Sequence, residues 1–482
     1  MTTDAVAARR QAADLVADLR RASADAVRFE GVDLGGAIEQ QLFFAIRDGR
    51  RAEAETGQGL TSVLRPVAAA GIGLMSWRLP QPGSAPLVVL VREPTHYPVL
   101  AQIEAELQST AGESLALLRV GRAARVAPAH AVAPRLVELT HPFLALRATG
   151  HGRRFGAALQ AAAGAWSARA GQARAAELRR IAAVEAGRIA LGAAALLSVA
   201  RRWRPRLLAA FDEIGTWARL LPEVARRSGM RSLDLPHAEA ADAAAIQGAA
   251  YDCMATYGPR ATAVLRAAGV SPERIVEVGA PRFDPLVHRV QERARDDSER
   301  PVVFAAQYVT GAMTREILGA CLRSALAAAR AHQASELVVV PHPAQEPGTV
   351  EALVAALVDP GVPVRLATES GLHAEVVRAS LLVTGWSNSV FEAAVAGIPA
   401  ITVNPGGVAP VDFAADGLAL GAVDEESAAR VAAGLADEAA RAAALQRSRH
   451  AAVQRLGAID GRASERAARL MLAVGRGERW AA

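Results

Sequence analysis

The stretch from Ser380 to Pro405, SLLVTGWSNSVFEAAVAGIPAITVNP, constrains the fold more than any other part of the chain. Leu381, Leu382 and Val383 form a short apolar run that breaks at Thr384-Gly385, after which Asn388 or Ser389 can cap a helix reaching Ala396. Gly397-Ile398-Pro399 stops that helix, because proline disfavours helical geometry in the residue before it, and Ala400 to Val403 begin a second strand. Strand, tight turn, helix and strand make a βαβ unit, and such a unit requires a parallel sheet. The polar residues at its turn admit two readings. Asn388 and Ser389 can serve only to cap the helix. Alternatively, the free N–H groups and positive dipole end of the helix, with the hydroxyls of Ser387 and Ser389, form a site for a phosphate.

Upstream the same alternation repeats, with strands expected at 302–306, 336–341 and 363–367 and helices at 312–331, 347–358 and 371–379. Helices near 425–447 and 460–475 finish the chain. Regular βα alternation predicts a doubly wound parallel sheet. Three groups of residues fall at the carboxyl ends of its strands, where open α/β sheets bind ligands. They are Gln307, then Pro341-His342-Pro343, then Gly385 to Ser389. Glu392, one turn into the last helix, can accept hydrogen bonds from ribose hydroxyls. His342, between two prolines, sits in a stiff loop from which an imidazole can donate to a phosphate oxygen; the other reading is a structural histidine.

A chain of 482 residues exceeds one ordinary core, given roughly 100–200 residues per domain. The junction is expected where Val276 to Asp284 gives way to a polar stretch ending at Pro301, which assigns 1–285 to a first domain and 286–482 to a second. The final helix is expected to pack back on the first domain. In that first domain Leu87 to Val91 is a fully apolar strand, followed by the loop Arg92-Glu93-Pro94-Thr95-His96 and a helix from near Pro98. Weaker strands are expected at 115–120 and 135–140, and an almost wholly helical insertion near 152–204. A strand from Arg206 then ends at Asp212-Glu213, a helix follows near Thr216, and a strand from Met230 ends at Pro236-His237. Residues 1–80 show helical pattern with turns, and Phe29 to Asp33 offers two carboxylates beside a glycine, which an exposed loop explains equally well.

Composition excludes several classes. The apolar fraction of 51% rules out a mostly disordered chain. All 54 basic residues are Arg, so a pI of about 9.9 follows partly from guanidinium groups that never lose their proton, and no nucleic-acid partner is expected. Cys253 and Cys321 are far apart and support neither a disulfide framework nor a zinc site. The N-terminus lacks the apolar core of a signal peptide, which predicts a cytoplasmic protein. The longest apolar run, Ile189 to Ala200, is too short for a bilayer, which takes roughly 20 residues. It can pack inside the domain, or rest on a membrane surface with Trp203 and flanking arginines at the headgroups.

The order VVVPHP, then LLVTGWSNSVFEAAVAGIPAI, resembles the donor-binding domain of GT-B glycosyltransferases. It is most similar to the branch with an HP motif and a serine-rich motif, which includes bacterial sialyltransferases, Kdo transferases and CDP-glycerol glycerophosphotransferases. RSLDLPHA resembles that branch's Leu-x-His-Gly strand end, with Ala238 in place of glycine, and VGAPRFDPL its segment at the domain junction. Asp212-Glu213-Ile214-Gly215 comes near the acid-acid-glycine motif of sialyltransferases with one residue more.

The resemblance implies two Rossmann-like domains facing a cleft, the first binding the acceptor and the second the nucleotide donor. By it, Gln307, His342, Pro343, Gly385, Ser387, Asn388, Ser389 and Glu392 would bind the donor, while His237, Arg282 and Asp284 would lie at the junction. The implied activity is transfer of a sugar from a nucleotide-activated donor, CMP- or CDP-linked, to a hydroxyl of a cell-surface glycan or lipid-linked acceptor at the inner face of the membrane. His342 and the serines would neutralise the leaving phosphate, so neither metal nor cofactor is called for, and no Asp-x-Asp pair stands in the right setting. The base is expected from the first domain, with Asp212 the first candidate and His96 the second; Asp212 can equally be a helix N-cap. Two other functions stay open: a non-hydrolysing sugar-nucleotide epimerase of the same fold, and a non-catalytic nucleotide or glycan binding protein.

Overall fold

A computed structural model describes residues 3–48, 86–125, 135–170, 172–212, 214–236, 243–292, 301–310, 312–343, 345–357, 361–367 and 371–480. The chain divides into two compact units, Met1–Pro281 with Ser464–Ala482, and Arg282–Ala463.

The first unit begins with α1 (Thr3–Ser23), a small antiparallel pair of β1 (Arg28–Phe29) and β2 (Val32–Asp33), and α2 (Gly35–Asp48). The expected loop at 29–33 is therefore a hairpin. Glu30 and Gly31 form its turn at φ of 52° and 82°, the left-handed conformation that two-residue hairpins require. Glu30 is held there by Arg147 at 2.6 Å and Arg201 at 3.2 Å.

Next come β3 (Leu87–Val91), α3 (Tyr97–Ala111) and β4 (Leu115–Arg119). The strand expected at 135–140 is instead a 3-10 turn, Leu136–Leu139, with one isolated bridge between Arg135 and Arg119. Leu136 and Leu139, one turn apart, are both buried, so the short apolar run satisfies a turn as well as a strand.

The helical insertion is a hairpin of α4 (Pro142–Ala170) and α5 (Gln172–Trp203), which pack along each other. The two backbones approach at Gly152, where a Cβ would lie 2.9 Å from Gly187 Cα. Ile189, Ala193, Leu196 and Val199 are buried, as is Trp203. The longest apolar run is thus interior, not a face resting on a bilayer. Among the described residues no helix is long and apolar enough to cross a membrane.

The unit continues with β5 (Leu207–Ala210), α6 (Trp217–Arg227), β6 (Arg231–Asp234), α7 (Ala243–Ile246), β7 (Cys253–Thr256), α8 (Pro259–Ala267) and β8 (Ile275–Glu277). Six strands pair in parallel in the order β4-β3-β5-β6-β7-β8. Val88, Leu90 and Leu208 face one core with α1, α2 and the hairpin, while Leu87, Val89 and Leu207 face another with α3 and Ala467, Met471 and Val474 of the C-terminal helix. Burial on both faces is what makes these strands read as unbroken apolar runs.

The second unit holds α9 (Asp284–Glu292), β9 (Val302–Ala305), α10 (Arg315–Ala331), β10 (Leu337–Val340), α11 (Thr349–Ala355), β11 (Val364–Leu366), α12 (Leu372–Arg378), β12 (Leu381–Thr384), α13 (Ser389–Ala396), β13 (Ala400–Val403), β14 (Leu420–Ala422), α14 (Glu425–Gly434) and α15 (Glu438–Leu456). α16 (Ala463–Arg476) crosses to the first unit at Ser464. The single helix expected at 425–447 is two, because Asp437 starts a second one by accepting the N–H groups of Ala439 and Ala440. The sheet is parallel throughout, in the order β11-β10-β9-β12-β13-β14. Cys253 and Cys321 are both buried free thiols, each pushed up to about 12 by burial.

Candidate functional site

In the second sheet β9 lies between β10 and β12, so strand order reverses at the β9–β12 pair. That reversal opens a crevice at the carboxyl ends of the two strands, the usual ligand position in open α/β sheets. Gln307 follows β9 and Gly385 follows β12, and the strand ends are tied by Thr384 Oγ1, which donates to the carbonyl of Ala305 at 2.8 Å. Gln307 Oε1 accepts the N–H of Trp386 at 2.8 Å. A Cβ at position 385 would stand 2.5 Å from that same oxygen and 2.8 Å from Met313 Cε. Glycine is therefore what lets the β12 turn close on Gln307. Gly385→Ala is expected to lower stability by about 1–3 kcal/mol, the usual cost of overpacking. Urea denaturation checks this; an unchanged midpoint would mean that Gln307 and Met313 yield freely.

The loop after β10 joins the same edge. Gln345 Oε1 accepts the N–H of Val309 at 2.9 Å, and the His342 ring lies 4.7 Å from that of Tyr308. Burial pulls the His342 imidazole below its ordinary value, so at neutral pH it is uncharged and donates through one ring N–H. Pro343 beside it is exposed. Tyr308, 43% exposed and not singled out in the sequence, presents an open aromatic face at this edge.

At the start of α13, Asn388 is exposed and makes no capping hydrogen bond; Ser387 Oγ accepts the N–H of Ser389 at 3.2 Å. Asn388 is thus not the cap that one reading assigned it. Ser389 Oγ and Glu392 Oε2 are buried without a hydrogen-bond partner. A buried unsatisfied oxygen costs about 1–3 kcal/mol, and these two lie in the first turn of α13, where a hydrogen-bonding ligand would satisfy them. Glu392 Oε1 is oriented by Arg282 Nη2 at 2.9 Å, with His373 Nε2 at 3.7 Å. Asp284 Oδ1 accepts the N–H of Ala463 at 3.2 Å. Arg282 and Asp284 and these partners all belong to the second unit. His373, the second residue of α12, carried no sequence signal, since a lone histidine in the first turn of a helix fits a plain solvent-facing position.

The first sheet has its own reversal, between β3 and β5. Asp212 follows β5 and is 2% exposed. Its Oδ1 accepts from Arg92 Nη1 and from the Gly215 N–H, each at 2.8 Å. The amide it holds lies before α6, so Asp212 closes the turn rather than capping the helix. Gly215 leaves room for this contact: a Cβ would stand 2.4 Å from Asp212 Oδ1 and 2.6 Å from Arg92 Nη1, so a larger residue would have to displace the pair. Arg92 was readable in the sequence as the charged residue ending the apolar run Leu87–Val91, yet it was not singled out. His96 is buried in the 3-10 turn Pro94–His96, its ring 4.7 Å from that of Phe211. His237 lies outside the described residues.

No family model matches the sequence, and no curated protein matches it. Solved structures do match the fold. One is a protein from Listeria monocytogenes assigned as a UDP-N-acetylglucosamine 2-epimerase, 13% identical, with a TM-score of 0.50 over 83% of this chain and 100% of that one. Another UDP-N-acetylglucosamine 2-epimerase is 12% identical, with a TM-score of 0.50 over 82% of this chain and 96% of that one. The wall teichoic acid polymerase TagF is 11% identical, with a TM-score of 0.49 over 86% and 98%. The fold is that of GT-B proteins, two Rossmann-like units each built on a six-stranded parallel sheet.

Proposed function

We propose that this chain is a metal-independent glycosyltransferase that moves a sugar from a nucleotide-activated donor, CMP- or CDP-linked, to a hydroxyl of a surface glycan or lipid-linked acceptor. The observation that carries the reading is the pair of buried, unpartnered oxygens, Ser389 Oγ and Glu392 Oε2, at a helix terminus beside the strand-order reversal. Phosphate oxygens suit the first turn of α13, with Ser387, Ser389 and the N–H of His342, while ribose hydroxyls suit Glu392. Tyr308 offers a stacking surface for the base or the sugar. As the sugar–phosphate bond breaks, charge grows on the leaving phosphate, and donors already held by the fold stabilise it without reorganising. Proton removal from the acceptor is assigned to Asp212, and failing that to His96. Arg282 acts as a positioning residue by aiming the Glu392 carboxylate.

Thermal-shift titration with CMP, CDP, UDP and GDP tests the reading, because a ligand that binds only the native state raises its apparent stability. At 100 times its Kd the expected gain is about 2.7 kcal/mol for the preferred nucleotide. No shift with any of the four would remove the donor site. Asp212→Asn is expected to keep the nucleotide shift and lose transfer by about 10²–10⁴-fold, the range for a general base. Unchanged turnover would move the base to His96.

A second reading is favoured by the likeness to the 2-epimerases. Incubation with UDP-N-acetylglucosamine and no acceptor separates the two, since only an epimerase inverts the sugar under those conditions.

A further inference from the structure

We propose that the first unit contains an oxyanion subsite, taking a phosphate monoester or a carboxylate carried by the acceptor. Only the word acceptor rests on the transferase reading; the site itself is argued from the first unit alone. A cavity of about 410 Å³ opens beside the strand-order reversal, lined among others by Arg47, Arg92, Arg188, Glu185 and Trp217. Among the described residues it thus presents three guanidinium groups against one lining carboxylate.

Each guanidinium is anchored by its surroundings. Arg92 gives Nη1 to the buried Asp212, and Arg188 gives Nη1 to the buried Glu185 at 3.0 Å. Arg47 lies 5.0 Å from the Phe43 ring and 5.1 Å from that of Phe44. A guanidinium has five N–H donors in a planar fork, so one edge fixed by a carboxylate leaves donors for a second acceptor already oriented. Two planar cations held in this way suit a group with two or three equivalent oxygens better than a neutral hydroxyl. The remaining wall sets Ile189, Ile214 and the Trp217 indole beside Gln41 and Thr216, and its apolar part matches the carbon skeleton that would bear the anion. Ser389, Glu392 and His342, which serve the nucleotide, belong to the other unit, so this cavity is not a second description of the donor site.

Calorimetric titration of the full chain with glycerol 3-phosphate, glycerate and glycerol tests the subsite. The two anions are expected to bind and glycerol not, and the tighter anion identifies whether phosphate or carboxylate is preferred. Arg188→Gln and Arg47→Gln should each weaken the anions at least about tenfold, the loss of one charge-assisted contact; Arg47→Gln should leave the thermal midpoint unchanged, while Arg188→Gln, which leaves the buried Glu185 without its cation, should lower it as well. Ser389→Ala, in the second unit, should leave anion binding unchanged. Binding of glycerol equal to that of the anions, or anion affinity indifferent to both arginine variants, would overturn the proposal. Nucleotide binding without anion binding removes the subsite alone. Anion binding that depends on Arg188 without any nucleotide binding keeps the subsite and removes the transferase reading.

Discussion

His342→Ala is expected to lower nucleotide-sugar turnover about 10²–10³-fold, the cost of deleting one preorganised donor to a developing oxyanion. The thermal midpoint should move by no more than about 4 °C, because the ring is half-buried in a loop, against the Tyr308 ring. The loss should fall on kcat more than on KM, since the N–H acts on charge that exists only in the transition state. His342→Gln, which keeps an N–H donor, should recover part of the rate. Steady-state kinetics with the nucleotide identified by thermal shift measures all of this. Turnover at the native rate by His342→Ala would detach His342 from the leaving phosphate, and equal loss in both variants would mean that the ring packs rather than donates.

Arg219→Met is expected to destabilise the first unit by about 2–4 kcal/mol, among the larger effects of a single substitution. Arg219 is 6% exposed, and the two hydrogens of its Nη2 are shared among the carbonyls of Ala245, Ile246 and Gln247 and Gln40 Oε1, all at 2.9 to 3.1 Å. The carbonyls of Ala245 and Ile246 end the short helix α7 and that of Gln247 follows it; Ile246 also accepts the N–H of Ala249 at 2.9 Å. Burial pulls the guanidinium down to about 10, still far enough above neutrality to stay charged, and the helix dipole favours that charge. Arg9 reaches the same turn, donating Nε to Ala244 O at 2.7 Å. Two like charges so placed repel, which tempers the loss. Thermal unfolding of the variant checks it; a change under about 1 kcal/mol would show that Arg9 and Gln40 satisfy the turn without Arg219.

Four strands of the second sheet, β9, β10, β12 and β13, were legible because each is a four-residue, largely apolar run at regular spacing, whereas β14, the three residues Leu420–Ala422 with a glycine at the centre, carries no such run and was not expected. Gln307, His342 and Ser387 could be found by position for that reason. What the chain order hides is adjacency. Gln307 meets Trp386 only because β12 pairs with β9 rather than with its predecessor β11, and no local pattern encodes that pairing. The unpartnered oxygens of Ser389 and Glu392 depend likewise on the packing around α13. In the first unit, alanine-rich helices blur the line between a buried face and an exposed one. Arg9 and Gln40 therefore passed as ordinary polar positions in residues 1–80, although they meet Arg219 in the interior. Leu136 to Leu139 misled for a different reason, since four residues are too few to separate a period of two from a turn.

Cys253 sits in the first unit and Cys321 in the second, each shielded and with a thiol hard to ionise. Alkylating dyes attack the thiolate, so the native protein should resist labelling without any need to delete its own cysteines. One surface cysteine introduced into each unit can then carry a donor and an acceptor fluorophore. Energy transfer between them would follow interunit distance during turnover on an otherwise unaltered molecule.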